Sequence, residues 1–144
     1  MLRQKTPTPK IELLRGISLF RACSQKDLKR VAELVDEIHV PAGRTICREG
    51  VHGRECFVIS SGTAAVTLAG EHLATLEPGE VFGEMSLLDS EPRSATVTAD
   101  TDMWLLVLDA RAFATLLDRT PGVSRKILKS MVGRLREVES SPSW

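Results

Sequence analysis

The stretch G-E-V-F-G-E-M-S-L-L-D-S-E-P-R-S-A-T-V, residues 79–97, guides the interpretation of the whole chain. The apolar turn at its centre is too short for an independent helix, since it follows Gly83 and Glu84 and ends at Ser90 and Pro92. This pattern predicts a one-turn helix whose first backbone N–H groups are unpaired. Together with the helix dipole, those N–H groups favour a bound anion.

Two charged side chains in this stretch suit the two halves of a nucleotide. Arg93 has a planar fork of donors that matches phosphate oxygens, and Ser94 follows it with a hydroxyl and an N–H. Gly83 allows a ligand to approach the backbone closely. Glu84 would repel an anion unless it faced a neutral donor such as a sugar hydroxyl. An anion joined to a sugar indicates a nucleotide. The alternative is a solvated Glu84–Arg93 ion pair that contributes about 0–1 kcal/mol.

The full string resembles the phosphate-binding cassette of the cyclic nucleotide-binding domain family. The resemblance rests on F-G-E at residues 82–84, the L-L pair at 87–88 and P-R-S-A-T-V at 92–97. The family includes catabolite activator proteins, regulatory subunits of cAMP-dependent kinase and cyclic-nucleotide-gated channels. The resemblance covers nearly the whole chain, from about Leu14 to about Arg136.

The resemblance also implies a set of ligand contacts. Those expected for the cyclic phosphate are Arg93, Ser94, Ala95, Met85 and Ser86, and those expected for the ribose are Glu84 and Gly83. Those expected for the base are Val66, Leu73, Phe82 and Arg134. From the residues alone, the first three of these base contacts are ordinary core positions. The resemblance to the channel branch of the family implies that Arg134 contacts the base, and the alternative is an exposed salt-bridging arginine.

The composition of the chain excludes several classes of protein. Its 144 residues, 42% hydrophobic and 26% charged, fit one globular domain that buries a core. Nineteen basic residues balance nineteen acidic ones, so there is no net positive field to attract DNA or an anionic membrane. No apolar run approaches the ~20 residues that span a bilayer, and the start lacks the apolar core of a signal peptide. We therefore expect a cytoplasmic protein with no direct nucleic-acid partner and no membrane association.

Catalytic and metal-binding patterns are missing from the sequence. Cys23, Cys47 and Cys56 form no Cys-x-x-Cys pair and have no His at metal spacing, so we expect reduced, mostly buried thiols. No nucleophile–base pair is evident either. The strand pattern would also fit cupin enzymes, but these need clustered His ligands with a carboxylate. We expect no catalytic residue, no metal and no cofactor.

Helical patterns occupy the two ends of the chain. Residues 1–10 are predicted to form an irregular arm, and residues 11–16 a short helical turn. Ser24 is expected to cap a helix that ends near Asp36. Asp109 is expected to cap another helix, which Thr120-Pro121-Gly122 breaks. A final helix is predicted over about 123–138, with Gly133 inside it and a tail at 139–144.

Strand patterns occupy the middle of the chain. From Ile38 onward, short apolar runs alternate with Gly and Pro turns. The strands are predicted at 56–59, 65–68, 72–76, 95–99 and 103–108. Closely spaced strands of this kind are typical of an antiparallel barrel or jelly roll. We predict one mainly β (α+β) domain over residues 11–138: a jelly roll with N-terminal helices, a cassette at 82–97 and two C-terminal helices.

The resemblance implies a regulatory module that senses a cyclic nucleotide and is not an enzyme. Cyclic AMP (cAMP) is the expected ligand, and Ser94 also permits cyclic GMP (cGMP). The C-terminal helices would move on binding, and the output would need an effector protein or an effector domain outside this chain. The last helix is also a candidate homodimer seam. The alternatives are a ligand-independent interaction module of the same fold and a fragment of a larger cAMP-regulated protein.

Overall fold

The computed structural model describes residues 10–17, 20–21 and 23–139. The helices of this part are α1 (Lys10–Arg15), α2 (Gln25–Leu34), α3 (Glu84–Asp89), α4 (Ala110–Arg119) and α5 (Pro121–Glu139). Its strands are β1 (Asp36–Val40), β2 (Thr45–Cys47), β3 (Glu55–Ser61), β4 (Ala64–Leu68), β5 (Glu71–Leu76), β6 (Val81–Phe82), β7 (Thr96–Ala99) and β8 (Met103–Asp109). The predicted arm and tail lie outside the described residues, except that Lys10 begins α1 and Glu139 ends α5.

The strands pair into two four-stranded antiparallel sheets. The first sheet has the order β1-β8-β3-β6, and the second has the order β2-β7-β4-β5. This confirms the predicted fold class of a mainly β jelly roll with flanking helices. Strands β1, β2 and β6 were not assigned from the sequence, and β2 and β6, with three and two residues, are too short to show a periodic pattern.

The core has two parts, which meet at the first sheet. Phe57, Ile59 and Leu105 point into the interior between the two sheets, where they pack with residues of the second sheet. Cys56 and Leu106 point the other way and pack against the helices. Because side chains alternate along a strand, β3 and β8 are buried on both faces. These two strands therefore connect the barrel to the helices.

Local capping explains where the helices begin. The Ser24 hydroxyl accepts the Asp27 N–H at 3.1 Å, and the Asp109 carboxylate accepts the Ala112 N–H at 2.8 Å. Both predicted caps are confirmed. Thr120 alone separates α4 from α5, and α5 begins at Pro121, two residues earlier than predicted. Proline fits this position because the first residue of a helix needs no N–H partner.

No helix in the described ranges combines the length and the apolarity that crossing a bilayer requires.

Candidate functional site

The cassette forms the predicted one-turn helix. Gly83 precedes α3 with φ +86°, and Ser90 ends it with φ +60°. Both values lie in the left-handed region, which glycine tolerates best. A Cβ atom on Gly83 would also lie 2.7 Å from the Arg93 Nη1 atom and 3.1 Å from the Glu55 carbonyl oxygen. Glycine at this position therefore provides both the turn into α3 and the space for the arginine.

Arg93 is buried and is held by four hydrogen bonds to backbone groups. Its side chain is 9% exposed, and Nη1 donates to the Gly83 carbonyl at 2.7 Å. Nη2 donates to the Glu55 carbonyl at 2.6 Å. The Arg93 N–H donates to the Val51 carbonyl, and its own carbonyl accepts the Gly50 N–H, each at 2.9 Å. Because the guanidinium has five N–H donors, these bonds orient it and leave it able to bind an anion.

Gly53 makes room for the guanidinium group. A methyl group on Gly53 would overlap the Cζ and Nε atoms of Arg93, so the glycine backbone lies directly against the guanidinium. The φ angle of Gly53 is not in the left-handed region, so this close approach is the reason that glycine is needed. Residues 40 positions apart in sequence are therefore in direct contact at the candidate site.

Glu84 brings a buried negative charge to the same region. It begins α3 and is only 2% exposed. Burial raises the pKa of the Cys47 thiol to about 11 and that of the Cys56 thiol to about 12. The charge of Glu84 contributes to both of these raised pKa values and that of Arg93 opposes them, so the two charges lie close to both thiols. Both cysteines are free and stay protonated at neutral pH.

The other predicted phosphate contacts lie directly after Arg93 or on α3, and they differ in how exposed they are. Ser94 is exposed and Ala95 is half-buried, immediately before β7. On α3, Met85 is 46% exposed and Ser86 is 8% exposed. The N–H groups of these two residues lie in the first turn of the helix, where the backbone has no partner within the helix.

The predicted base contacts differ in how much surface they offer. Val66 is half-buried and lies opposite Val97 and Ala74. Leu73 is 56% exposed and lies at a β-bulge, since the register shifts between Val66 and the next pair. Bulges commonly re-aim a side chain beside a functional site. Phe82 is 4% exposed and stacks on Phe57, with 5.0 Å between ring centroids, so it offers almost no free surface.

The remaining predicted contact, Arg134, lies in α5, but its side chain is outside the described part of the chain. Its role in contacting the base stays a prediction.

Sequence reasoning missed the segment between β2 and β3. Gly50, Val51 and Gly53, with Glu55 at the start of β3, all contact Arg93 through their backbone, three of them by hydrogen bonds. The sequence indicated only turns at Gly50 and Gly53. Backbone acceptors carry no side-chain signature, so only the fold could assign them. In the described residues, no three His, Cys, Asp or Glu side chains come together as candidate metal ligands.

This geometry agrees with the result of comparison with known proteins. Residues 37–120 match the family model of the cyclic nucleotide-binding domain. The chain belongs to the cyclic nucleotide-binding domain family. The match contains the whole of the cassette and every residue found to hold Arg93.

Three similar proteins illustrate the family. A cyclic nucleotide-gated potassium channel of Rhizobium etli is 35% identical over 123 residues, which are 85% of this chain and 34% of the channel. The cyclic AMP receptor protein of Thermus thermophilus is 32% identical over 88% of this chain and 61% of its own length. A solved structure of a PKAR domain with bound Sp-2Cl-cAMPS has a TM-score of 0.76 at 23% identity, and covers 92% of this chain and 93% of its own. The chain thus spans about a third to three fifths of these two curated relatives.

Proposed function

We propose that this chain is a receptor module for a cyclic nucleotide, with cAMP as the preferred ligand, and that it senses the nucleotide without cleaving it. The observation that carries this proposal is the buried Arg93 side chain, which backbone carbonyls and two glycines hold in place beside the buried Glu84. A buried cation is costly unless it is paired and hydrogen-bonded. Its fixed position therefore favours a role in binding an anion.

Each half of the ligand has a chemically suitable group in the proposed site. Arg93 would bind the cyclic phosphate, together with Ser94, Ala95 and the N–H groups of residues 85 and 86. Glu84, with Gly83, would bind the ribose 2′-hydroxyl, because a carboxylate accepts a hydrogen bond from a hydroxyl group but repels a phosphate. Val66 and Leu73 would contact the base.

The relatives support cAMP as the ligand. The Thermus thermophilus relative is named a cyclic AMP receptor protein, and a 30% identical Drosophila melanogaster relative is a regulatory subunit of cAMP-dependent kinase. In some members of the family, a Ser or Thr after the cassette arginine helps to bind cGMP, so Ser94 keeps cGMP as the second choice.

The C-terminal helix is suited to cover the base when the ligand binds. The start of α5 is fixed in the core, since Val123 is 0% exposed and Ile127 is 4% exposed. Beyond it, Leu128 and Val132 are 61% and 48% exposed and lie one turn apart. We propose that α5 beyond Ile127, which includes Arg134, closes over the base. Ligand binding would then shift a two-state equilibrium.

The same exposed residues would be covered by a homodimer through α5 or by an effector protein, and both partners stay predictions. The cytoplasmic location also stays a prediction. The similar proteins are regulatory or binding proteins, which supports a role other than that of an enzyme.

Calorimetric titration of the nucleotide-free chain with cAMP, cGMP and 5′-AMP tests the proposed function. We expect saturable binding of a cyclic nucleotide, with cAMP ahead of cGMP and 5′-AMP much weaker than both. If folded, nucleotide-free protein binds none of the three, the ligand-independent interaction module replaces the receptor. If cGMP binds more tightly than cAMP, the receptor role stands and the base preference is reversed.

A further inference from the structure

The tip of the β4–β5 hairpin is a strained two-residue turn. Ala69 and Gly70 have φ angles of +51° and +85°, between the paired residues Leu68 and Glu71. Two positive φ angles match the twist of a hairpin but favour Gly, Asn or Asp, because a Cβ atom is disfavoured in the left-handed region. An alanine persists in such a conformation only when surrounding structure stabilises it.

Glu49, between β2 and β3, supplies that stabilisation. Its carboxylate accepts the Ala69 N–H, at 3.1 Å to Oε2 and 3.4 Å to Oε1. Oε1 also accepts the Thr96 hydroxyl at 2.9 Å, and the Glu49 N–H donates to the Thr96 Oγ1 at 3.1 Å. Hydrogen bonds to a charged group are stronger than neutral ones. One half-buried carboxylate thus joins the hairpin tip to the first residue of β7.

The residues next to Glu49 hold the phosphate side of the site. Gly50 and Val51 bind the carbonyl and the N–H of Arg93. Thr96 directly follows residues 93–95, which are the proposed phosphate contacts. The hairpin, in contrast, carries the proposed base contacts. The Glu49 carboxylate therefore connects the two sides of the proposed ligand site.

We propose that Glu49 is a positioning residue for the base: it fixes the β4–β5 hairpin, and with it Val66 and Leu73, relative to the phosphate contacts. This inference rests on the proposed function. In the ligand, the rigid sugar and cyclic phosphate fix the point at which the base is attached. The phosphate contacts and the base contacts are therefore made together only if the hairpin is held at the corresponding distance from the phosphate contacts. Releasing the hairpin should weaken the base contacts selectively.

Two ligands separate this role from a general structural one. One is cAMP, and the other is methyl β-D-ribofuranoside 3′,5′-cyclic phosphate, which has the same sugar and cyclic phosphate but no base. Glu49→Ala should weaken cAMP binding by about five- to tenfold, at the low end of couplings between linked sites. It should change the affinity of the base-free ligand by less than about twofold, as expected for groups that do not interact.

Two further variants serve as controls. Glu49→Gln keeps the side-chain length and one acceptor oxygen, so it should restore most of the affinity for cAMP. Glu80→Ala removes a comparable bond at another turn, where the Glu80 Oε2 accepts the Glu77 N–H at 2.7 Å. It should leave both affinities unchanged. The exchange rate of the Ala69 amide, measured without nucleotide, should rise in Glu49→Ala and stay unchanged in Glu80→Ala.

Equal losses for the two ligands in Glu49→Ala would overturn the positioning role, as would an unchanged Ala69 exchange rate. A wild-type chain that binds neither ligand overturns the proposed function and, with it, the assignment of a base to this hairpin. In that case the Ala69 exchange rate still shows separately whether Glu49 holds the turn.

Discussion

The phosphate side of the proposed site and the C-terminal helix differ in how deeply their side chains are buried. Arg93 and Glu84 are 9% and 2% exposed, and backbone bonds fix Arg93. On α5, Leu128 and Val132 are 61% and 48% exposed. A buried charge needs its hydrogen bonds at all times, whereas an exposed apolar side chain costs only about 25 cal/mol per Å² of surface. Burial and backbone hydrogen bonds therefore fix the charged side of the proposed site within the fold, whereas the apolar residues of α5 can lie at the surface at little cost.

The strongest test of the buried, charged side is Arg93→Ala. We expect the affinity for cAMP to fall by about ten- to a hundredfold, since a hydrogen bond to a charged group contributes roughly 1.5–3 kcal/mol. Calorimetric titration measures the change. The exposed Arg44, whose carbonyl accepts the N–H of Ala99 at the end of β7, provides the control, because Arg44→Ala removes the same charge outside the cassette. An unchanged affinity in Arg93→Ala would remove this residue from the phosphate role.

Gly53→Ala tests whether the position of the guanidinium matters as well as its charge. The added methyl group would overlap Arg93, so the side chain must move. We expect a loss approaching that of Arg93→Ala, about tenfold or more, because a misplaced group loses most of a charge-assisted hydrogen bond.

Gly16→Ala is the matched control for this substitution. A Cβ atom there makes an ordinary contact, 3.5 Å from the Leu13 carbonyl oxygen, and Gly16 also lacks a left-handed φ angle. Wild-type affinity in Gly53→Ala would mean that the site tolerates a displaced arginine and is less rigid than the bonds of Arg93 indicate.

Glu84→Ala separates the ribose contact from the phosphate contact. We expect the affinity for cAMP to fall by about tenfold, the loss of one hydrogen bond to a charged acceptor. Binding of 2′-deoxy-cAMP should hardly change, because that ligand lacks the hydroxyl. The comparison of the two ligands within one variant serves as its own control for folding. Equal losses for both ligands would contradict the assignment of Glu84 to the 2′-hydroxyl.

Gly133→Ala tests the C-terminal helix, α5, and has the smallest expected effect. Among the described residues, and apart from the helix's own adjacent backbone and the two neighbouring residues, no atom lies within 4 Å of a Cβ added to Gly133, so the methyl group fits. Alanine in place of glycine inside a helix should stabilise α5 by about 1 kcal/mol. The stability of α5 is measured by amide exchange along the helix, with and without cAMP. If the helix becomes ordered only on binding, the variant should also bind cAMP slightly more tightly, whereas a weaker affinity would argue against closure of α5.

Local chemistry in the sequence determined much of this protein. The caps at Ser24 and Asp109, the break at Thr120 and the one-turn helix after Gly83 depend on residues within a few positions of one another. Propensity and capping act over that distance, so these elements could be predicted. The cassette string also identified the family and named Arg93 and Glu84 as candidate ligands.

Only the tertiary structure decided how those residues are held. The contact between Gly53 and Arg93, the Glu55 and Val51 carbonyls that accept from the arginine, and the bulge at Leu73 all depend on strand register. Register is set by packing between distant segments, and a backbone acceptor has the same chemistry in every residue. The sequence could therefore name the candidate binding side chains, whereas the two folded sheets were needed to show what orients them.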